Sequence, residues 1–183
     1  NDREPLNARL VLKAPPPRGR KSLLARPRLS LASEQLAEKS IISVCASPGF
    51  GKTALLTQWR REAIALGATV AWLNIDQWDD SPRLVDGLMQ AMEVATSTTA
   101  PHHASDLDGG YDPLDRLSQW LLWVADFAGE VLLILDDVHL LAQEPGELLA
   151  YLLHHAPANL RTVLASRKAL PFAVYDLIAK GQF

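Results

Sequence analysis

Two short segments carry the residue types needed to handle a polyphosphate and its counter-ion. The first, Ala46-Ser47-Pro48-Gly49-Phe50-Gly51-Lys52-Thr53, lies between the apolar run Ile41-Ile42-Ser43-Val44-Cys45 and a helical pattern, which is the setting a phosphate-binding P-loop requires. Glycines at 49 and 51 let the backbone curl so that successive N–H groups face anionic oxygens, while a helix opening near Gly51 aims its positive end at the same place. The expected phosphate-binding set is Pro48, Gly49, Phe50, Gly51, Lys52, Thr53 and Ala54. Lys52 supplies a full charge to the β- and γ-phosphates, and the Thr53 hydroxyl is a hard oxygen ligand suited to Mg²⁺. Ala46 stands where the motif has Gly, so its φ must be one that Ala adopts.

The second segment is Val131-Leu132-Leu133-Ile134-Leu135-Asp136-Asp137, an unbroken apolar run tipped by two carboxylates. Such a run reads as a parallel strand buried on both faces. Ligands of open α/β sheets sit at the carboxyl ends of the strands, which would bring Asp136 beside the P-loop. Asp136 is assigned to Mg²⁺, directly or through water. Asp137 is assigned to orient or deprotonate an attacking water. Arg167 follows the apolar run Thr162-Val163-Leu164-Ala165, expected to lie beside the acid-tipped strand, and is read as a sensor of the γ-phosphate. The expected catalytic set is therefore Asp137, Lys52 and Arg167.

The elements that must position these groups alternate. A short helix is expected over Ser30 to Lys39 and a strand over 41 to 46. Leu55, Leu56, Trp59, Ala63 and Leu66 then recur at helical spacing until Gly67. A strand from Thr69 to Ile75 delivers Asp76 to the P-loop edge. Ser81-Pro82 reads as an N-cap and first-turn proline, and Asp112-Pro113 as the start of another helix. Residues Thr96 to Asp112 are polar and read as a long loop. A helix around Leu148 to His155 precedes the last strand. Strands alternating with helices imply a parallel sheet between helix layers.

Charge is divided unevenly. Residues 1–28 hold eight basic and two acidic side chains, +6 there against −9 in the remainder. This basic, proline-containing stretch reads as an extended arm leading into the acidic domain of residues 29–183, and no DNA-reading motif follows it. Cys45 is the only cysteine; it reads as a core residue, and a chain without internal disulfides suits a reducing cytoplasm. No apolar stretch is long enough to span a membrane. The adjacent histidines at 102 and 103 and at 154 and 155 lack partner ligands and read as structural, as does His139. The five tryptophans read as core or contact residues.

Together, Lys13 to Arg28, the P-loop segment, Trp72-Leu73-Asn74-Ile75-Asp76, Leu135-Asp136-Asp137-Val138-His139 and Leu164-Ala165-Ser166-Arg167 resemble the nucleotide-binding domain of STAND-class signal-transduction ATPases. The branch is that of the bacterial maltose regulator and the large ATP-binding LuxR-type transcription activators. The resemblance implies a P-loop NTPase three-layer sandwich, STAND/AAA-like, with Ala usual at the position of Ala46. It implies ATP, ADP and Mg²⁺ as ligands, and Arg26 and Arg28 packed beside adenine and ribose. By the same resemblance ADP holds an inactive form, whereas ATP and a small-molecule inducer favour a self-associating form that activates transcription. Inducer sensing and DNA binding belong to helical or winged-helix, repeat-type and helix-turn-helix regions beyond Phe183. The chain, which begins with Asn, is thus expected to be an excised or truncated domain.

The leading expectation is an ATP-binding, slowly hydrolysing regulatory switch domain of such an activator. A metabolic P-loop kinase or free-standing ATPase is the alternative, and a nucleotide-bound scaffold without turnover a third. The absence of an Asn-Lys-x-Asp guanine motif disfavours a GTPase, and the lack of Arg and Lys between Thr96 and Asp112 disfavours a kinase lid.

Overall fold

A computed structural model describes residues 27–100 and 112–173. Residues 1–26 of the expected arm at 1–28, with Arg26, most of the 96–112 loop, with His102 and His103, and residues 174–183 lie outside the described residues. Period-two alternation builds the sheet. In β3 (Val131–Asp136) every residue is buried: Val131, Leu133 and Leu135 enter one core and Leu132 and Ile134 the other. This is the signature of a strand covered on both faces. β1 (Ile41–Cys45), β2 (Thr69–Asn74) and β4 (Leu160–Ser166) complete a four-stranded sheet. Its order is β1-β4-β3-β2 and every pairing is parallel.

Helices cover both faces. After the four-residue α1 (Glu34–Ala37), α2 (Lys52–Ala65) lays Leu55, Leu56, Trp59 and Ala63 against Ile42, Trp72, Ile134 and Val163. The other face receives α3 (Ser81–Thr96), α4 (Pro113–Asp126) and α5 (Gln143–His154). There Leu84, Leu88, Met92, Leu117, Trp120, Val124, Leu149 and Leu152 pack over Leu73, Leu133 and Leu164. The result is the expected α/β three-layer sandwich. No helix among the described residues is long and apolar enough to cross a membrane.

Register decides which residues share an edge. Asn74 pairs with Asp136, Leu135 with Leu164, and Cys45 with Ser166. The carboxyl ends of all four strands therefore lie at one rim, so the 46–53 turn, the paired acids, Arg167 and Asp76 emerge together.

Several boundaries differ from the sequence reading for identifiable reasons. The helix expected over Ser30–Lys39 contracts to Glu34–Ala37 after a 3₁₀ turn at Pro27–Leu29. Ser30 diverts its hydroxyl to Glu62 (3.0 Å) and accepts from the Ala32 N–H, competition with the helix that serine side chains commonly offer. The cap of α3 is Asp80 rather than Ser81: its carboxylate accepts from the Arg83 N–H at 3.0 Å. Ser81 is the first helical residue, and its hydroxyl donates to Glu144 at 2.8 Å. α4 starts at Pro113 as expected, and Asp112 caps it by accepting from the Leu114 N–H. α5 starts at Gln143, five residues before Leu148, because Pro145 occupies the first turn, where no backbone donor is required. Leu66, assigned by spacing to the buried face of α2, is 77% exposed because the helix ends at Ala65.

Cys45 departs from its expected place in the core and is exposed. Among the described residues β1 is an edge strand, and burial falls along it from Ile41 and Ile42 to its end. Trp59, Trp72 and Trp120 are core residues as expected, whereas Trp78 is 68% exposed. His154 and His155 each bond a carbonyl of their own helix.

The entry to β3 depends on one side chain. The Asn159 amide donates to the carbonyls of Val124, Phe127 and Gly129 at 2.8, 3.1 and 3.2 Å, closing the end of α4. Asn159→Ala is expected to cost about 1–3 kcal/mol of stability by stranding those acceptors, read as a lower urea midpoint. An unchanged midpoint would show that water replaces the amide without loss.

Candidate functional site

The turn at residues 46–53 has the conformation its glycines permit. Gly49 and Gly51 take φ of +87° and +81°, left-handed values that a side chain would oppose. Ala46 is not among the residues with positive φ, and its N–H still bonds the Ser166 carbonyl at 3.1 Å. Alanine therefore fits where the motif has glycine. The first intrahelical bond of α2 runs from Leu55 N–H to the Gly51 carbonyl. The N–H groups of Gly51, Lys52, Thr53 and Ala54 are accordingly the four first-turn donors with no intrahelical acceptor. Ser47, Pro48, Gly49, Phe50 and Thr53 are exposed, leaving this end of the helix open to solvent.

From the start of α2, Lys52 reaches over β4 to the tip of β3. Its Nζ lies 2.8 Å from Asp136 Oδ1 and 2.7 Å from Asp137 Oδ1. The Lys52 and Asp136 side chains are each only 9% exposed and Asp137 is 28% exposed, so this pairing is shielded from solvent far more than a surface ion pair. Asp136 Oδ1 also accepts the Asp137 N–H at 2.8 Å. Asp137 adopts φ +60°, a left-handed value that costs an ordinary residue about 1–2 kcal/mol and that Asp tolerates better than most. The turn folds its carboxylate back over the strand end.

Arg167 completes the cluster, with its Nε 3.3 Å from Asp137 Oδ1 and its side chain 47% exposed. Its backbone N–H donates to His139 Nδ1 at 3.4 Å, and that nitrogen lies 3.9 Å from Asp137 Oδ1. An accepting Nδ1 leaves the imidazole proton on Nε2. Burial pushes the His139 pKa below its ordinary value; Asp137 opposes that, and Lys52, Arg167 and Lys168 add to it. The ring is thus neutral at pH 7.

A cleft of about 300 Å³, at the lower end for ligand pockets, is lined by Ala46, Ser47, Pro48, Gly49, Gly51, Lys52, Thr53 and Arg167. Of the expected residues, Lys52, Asp136, Asp137 and Arg167 are therefore together, with Thr53 in the cleft wall. Phe50 is outside the lining and 71% exposed. Arg28 is exposed in the Pro27–Leu29 turn, which is fixed to the middle of α2: the Leu29 carbonyl accepts from Trp59 and the Leu31 N–H bonds Glu62. Asp76 reaches the right edge, but its Oδ1 accepts the Trp78 N–H at 2.8 Å.

Sequence reasoning missed the turn that aims Arg167. Ser166, fully buried, bonds the Lys168 carbonyl through its hydroxyl and accepts the Lys168 N–H at 3.2 Å. Cys45 Sγ lies 3.6 Å from the same carbonyl. The available signal was a serine at a strand end, where such hydroxyls close local turns. The resemblance motif contained Ser166 without giving it a task.

The donor set suits a magnesium-bound polyphosphate. The first-turn residues of α2 line the cleft, the Lys52 ammonium stands on the acid pair beside it, and the hard oxygens nearby are the Thr53 hydroxyl and the Asp136 carboxylate. No group of three or more His, Cys, Asp and Glu able to hold a metal occurs among the described residues. Mg²⁺ commonly uses one or two protein ligands and takes the remainder from phosphate and water.

The charge arrangement is testable by titration. Burial alone would raise the Asp137 pKa, but the hydrogen bond and charge of Lys52, with Arg167 and His139, outweigh it and hold the carboxyl below the usual range. A depressed carboxyl stabilises the fold above the unfolded value near 3.9, and that contribution is lost as pH falls through the folded pKa. Lys52→Met is expected to move the Asp137 midpoint upward in a carboxyl-detected NMR titration. A midpoint unmoved by the substitution would contradict the pairing.

No family model matches the chain. It is 30% identical over 158 residues to the HTH-type transcriptional regulator MalT of Vibrio cholerae serotype O1, covering 84% of this chain and 17% of that protein. Against MalT of Yersinia enterocolitica the identity is 27% over 161 residues, 86% of this chain and 17% of the relative. Against MalT of Vibrio campbellii it is 30% over 158 residues, with 84% and 17% covered. The chain spans about a sixth of the length of these relatives. Over most of its length the chain is similar to one stretch of these HTH-type transcriptional regulators.

Proposed function

We propose that this domain is the ATP-binding, slowly hydrolysing switch module of a LuxR-type transcription activator of the STAND class, working in the cytoplasm. The observation that carries the reading is the meeting of Lys52 with Asp136 and Asp137 at 2.8 and 2.7 Å across the intervening strand. A lysine on a P-loop helix and acids on a separate strand have no common structural need to converge. A polyphosphate with its cation gives them one. Homology to transcriptional regulators supports the regulatory half of the proposal.

In this reading the first-turn N–H groups of α2 and Lys52 bind the phosphates, and Thr53 with Asp136 holds Mg²⁺. When bound, the cation neutralises charge on the β- and γ-phosphate oxygens. Asp137, ionised at neutral pH, orients the attacking water and accepts its proton. Arg167 adds charge where a γ-phosphate distinguishes ATP from ADP, and a difference in contacts of that kind is what lets a ligand shift a conformational equilibrium. The base and ribose are assigned to Arg28, exposed in the Pro27–Leu29 turn, and to Arg26 before it. A small-molecule inducer, self-association and DNA binding through a helix-turn-helix belong to the full-length regulator.

Calorimetric titration with ATP, ADP and GTP tests the binding step. ATP and ADP are expected to bind in the presence of Mg²⁺, and Lys52→Ala to weaken ATP by about a hundredfold or more, since it removes a shielded, charge-assisted donor. Equal ATP affinity in the variant would refute the P-loop role. Asp137→Asn keeps the backbone turn available while removing the base. It is expected to retain bound ATP and to slow phosphate release by about 10²–10⁴-fold; an undiminished rate excludes Asp137 from hydrolysis.

A further inference from the structure

We propose that Lys52 is the built-in counter-ion of the acid pair, and that its ammonium keeps a divalent cation off Asp136 until a polyanionic ligand draws the lysine away. The cluster is formally neutral: two carboxylates, Asp136 and Asp137, face two cations, Lys52 and Arg167, while His139 is uncharged. Lys52 Nζ contacts both carboxylates within 2.8 Å, and Asp136 Oδ1 already accepts both that ammonium and the Asp137 N–H. Arg167 engages only Asp137, at 3.3 Å, and is half exposed. The charge that settles Asp136 therefore comes from Lys52. With the lysine in place, a divalent ion approaching Asp136 meets an ammonium at contact distance in a poorly solvated site, where like charges repel strongly.

This arrangement imposes an order. A polyphosphate offers Lys52 more negative charge than the acid pair does, and the ammonium sits on a flexible stem whose base belongs to the first turn of α2. Drawing Lys52 toward the cleft leaves Asp136 and Asp137 short of one positive charge, the condition under which a hard dication binds them. Cation and polyanion thus bind cooperatively, each removing the obstacle to the other. The order of binding rests on the proposed nucleotide function, whereas exclusion of a lone cation rests on the three side chains already described.

Mn²⁺, observed by electron paramagnetic resonance and added alone to the full chain without nucleotide, tests the exclusion. Wild type is expected to leave the free-ion signal undiminished at concentrations where Lys52→Met and Lys52→Gln, each shown folded by circular dichroism, bind at least about tenfold more tightly, from the loss of one contacting positive charge. Adding Asp136→Asn to either variant is expected to abolish the gained site. Comparable Mn²⁺ affinity in wild type and variants overturns the proposal, as does a failure of both folded variants to bind. Neither result depends on whether ATP binds, which the calorimetric titration decides separately.

Discussion

One ion cluster makes this rim of the sheet a site: the ammonium of Lys52 held between the carboxylates of Asp136 and Asp137. These residues come from the start of a helix and the end of a strand eighty-odd positions later, and β4 lies between their parent strands. The contact exists only if two parallel pairings, β1 with β4 and β4 with β3, keep their register. A one-residue slip in β3 would turn Asp136 to the other face, and a shortened β1 would withdraw the helix start. Sheet register is therefore the constraint on which the chemistry depends, and the two apolar cores on either face hold it.

Much of this was legible in the amino-acid order. The run Val131 to Leu135 has no polar position for a solvent face, so a strand covered on both sides was the economical reading, and its acids had to emerge at the carboxyl edge. Gly49 and Gly51 are legible because left-handed backbone leaves little choice of residue. Arg167 is legible because it ends a strand that neighbours β3. Each inference needs only local pattern and the rule that parallel strands end together.

What was not legible depends on long-range position. Cys45 looks like a core residue by composition, but β1 lies at the sheet edge among the described residues and its last position is exposed. The aim of Arg167 depends on Ser166, His139 and the Lys168 carbonyl, three groups that meet only after the chain has turned. Asp80 displaced Ser81 as the cap because carboxylate and hydroxyl compete for the same N–H groups, and either spelling is plausible from sequence. That the acids hold Lys52 directly could not be inferred from spacing, since side-chain reach across a strand is a matter of ångströms.

The helix that begins with Lys52 also carries Trp59 and Glu62, which grip the Leu29 carbonyl and the Leu31 amide. A helix transmits axial displacement with little compression, and its 14 residues make a rod of about 21 Å. Any shift of the first turn as Lys52 exchanges partners would be delivered to the segment entering the domain. The Pro27–Leu29 turn, tied to α2 through Trp59, would then follow the position of that first turn.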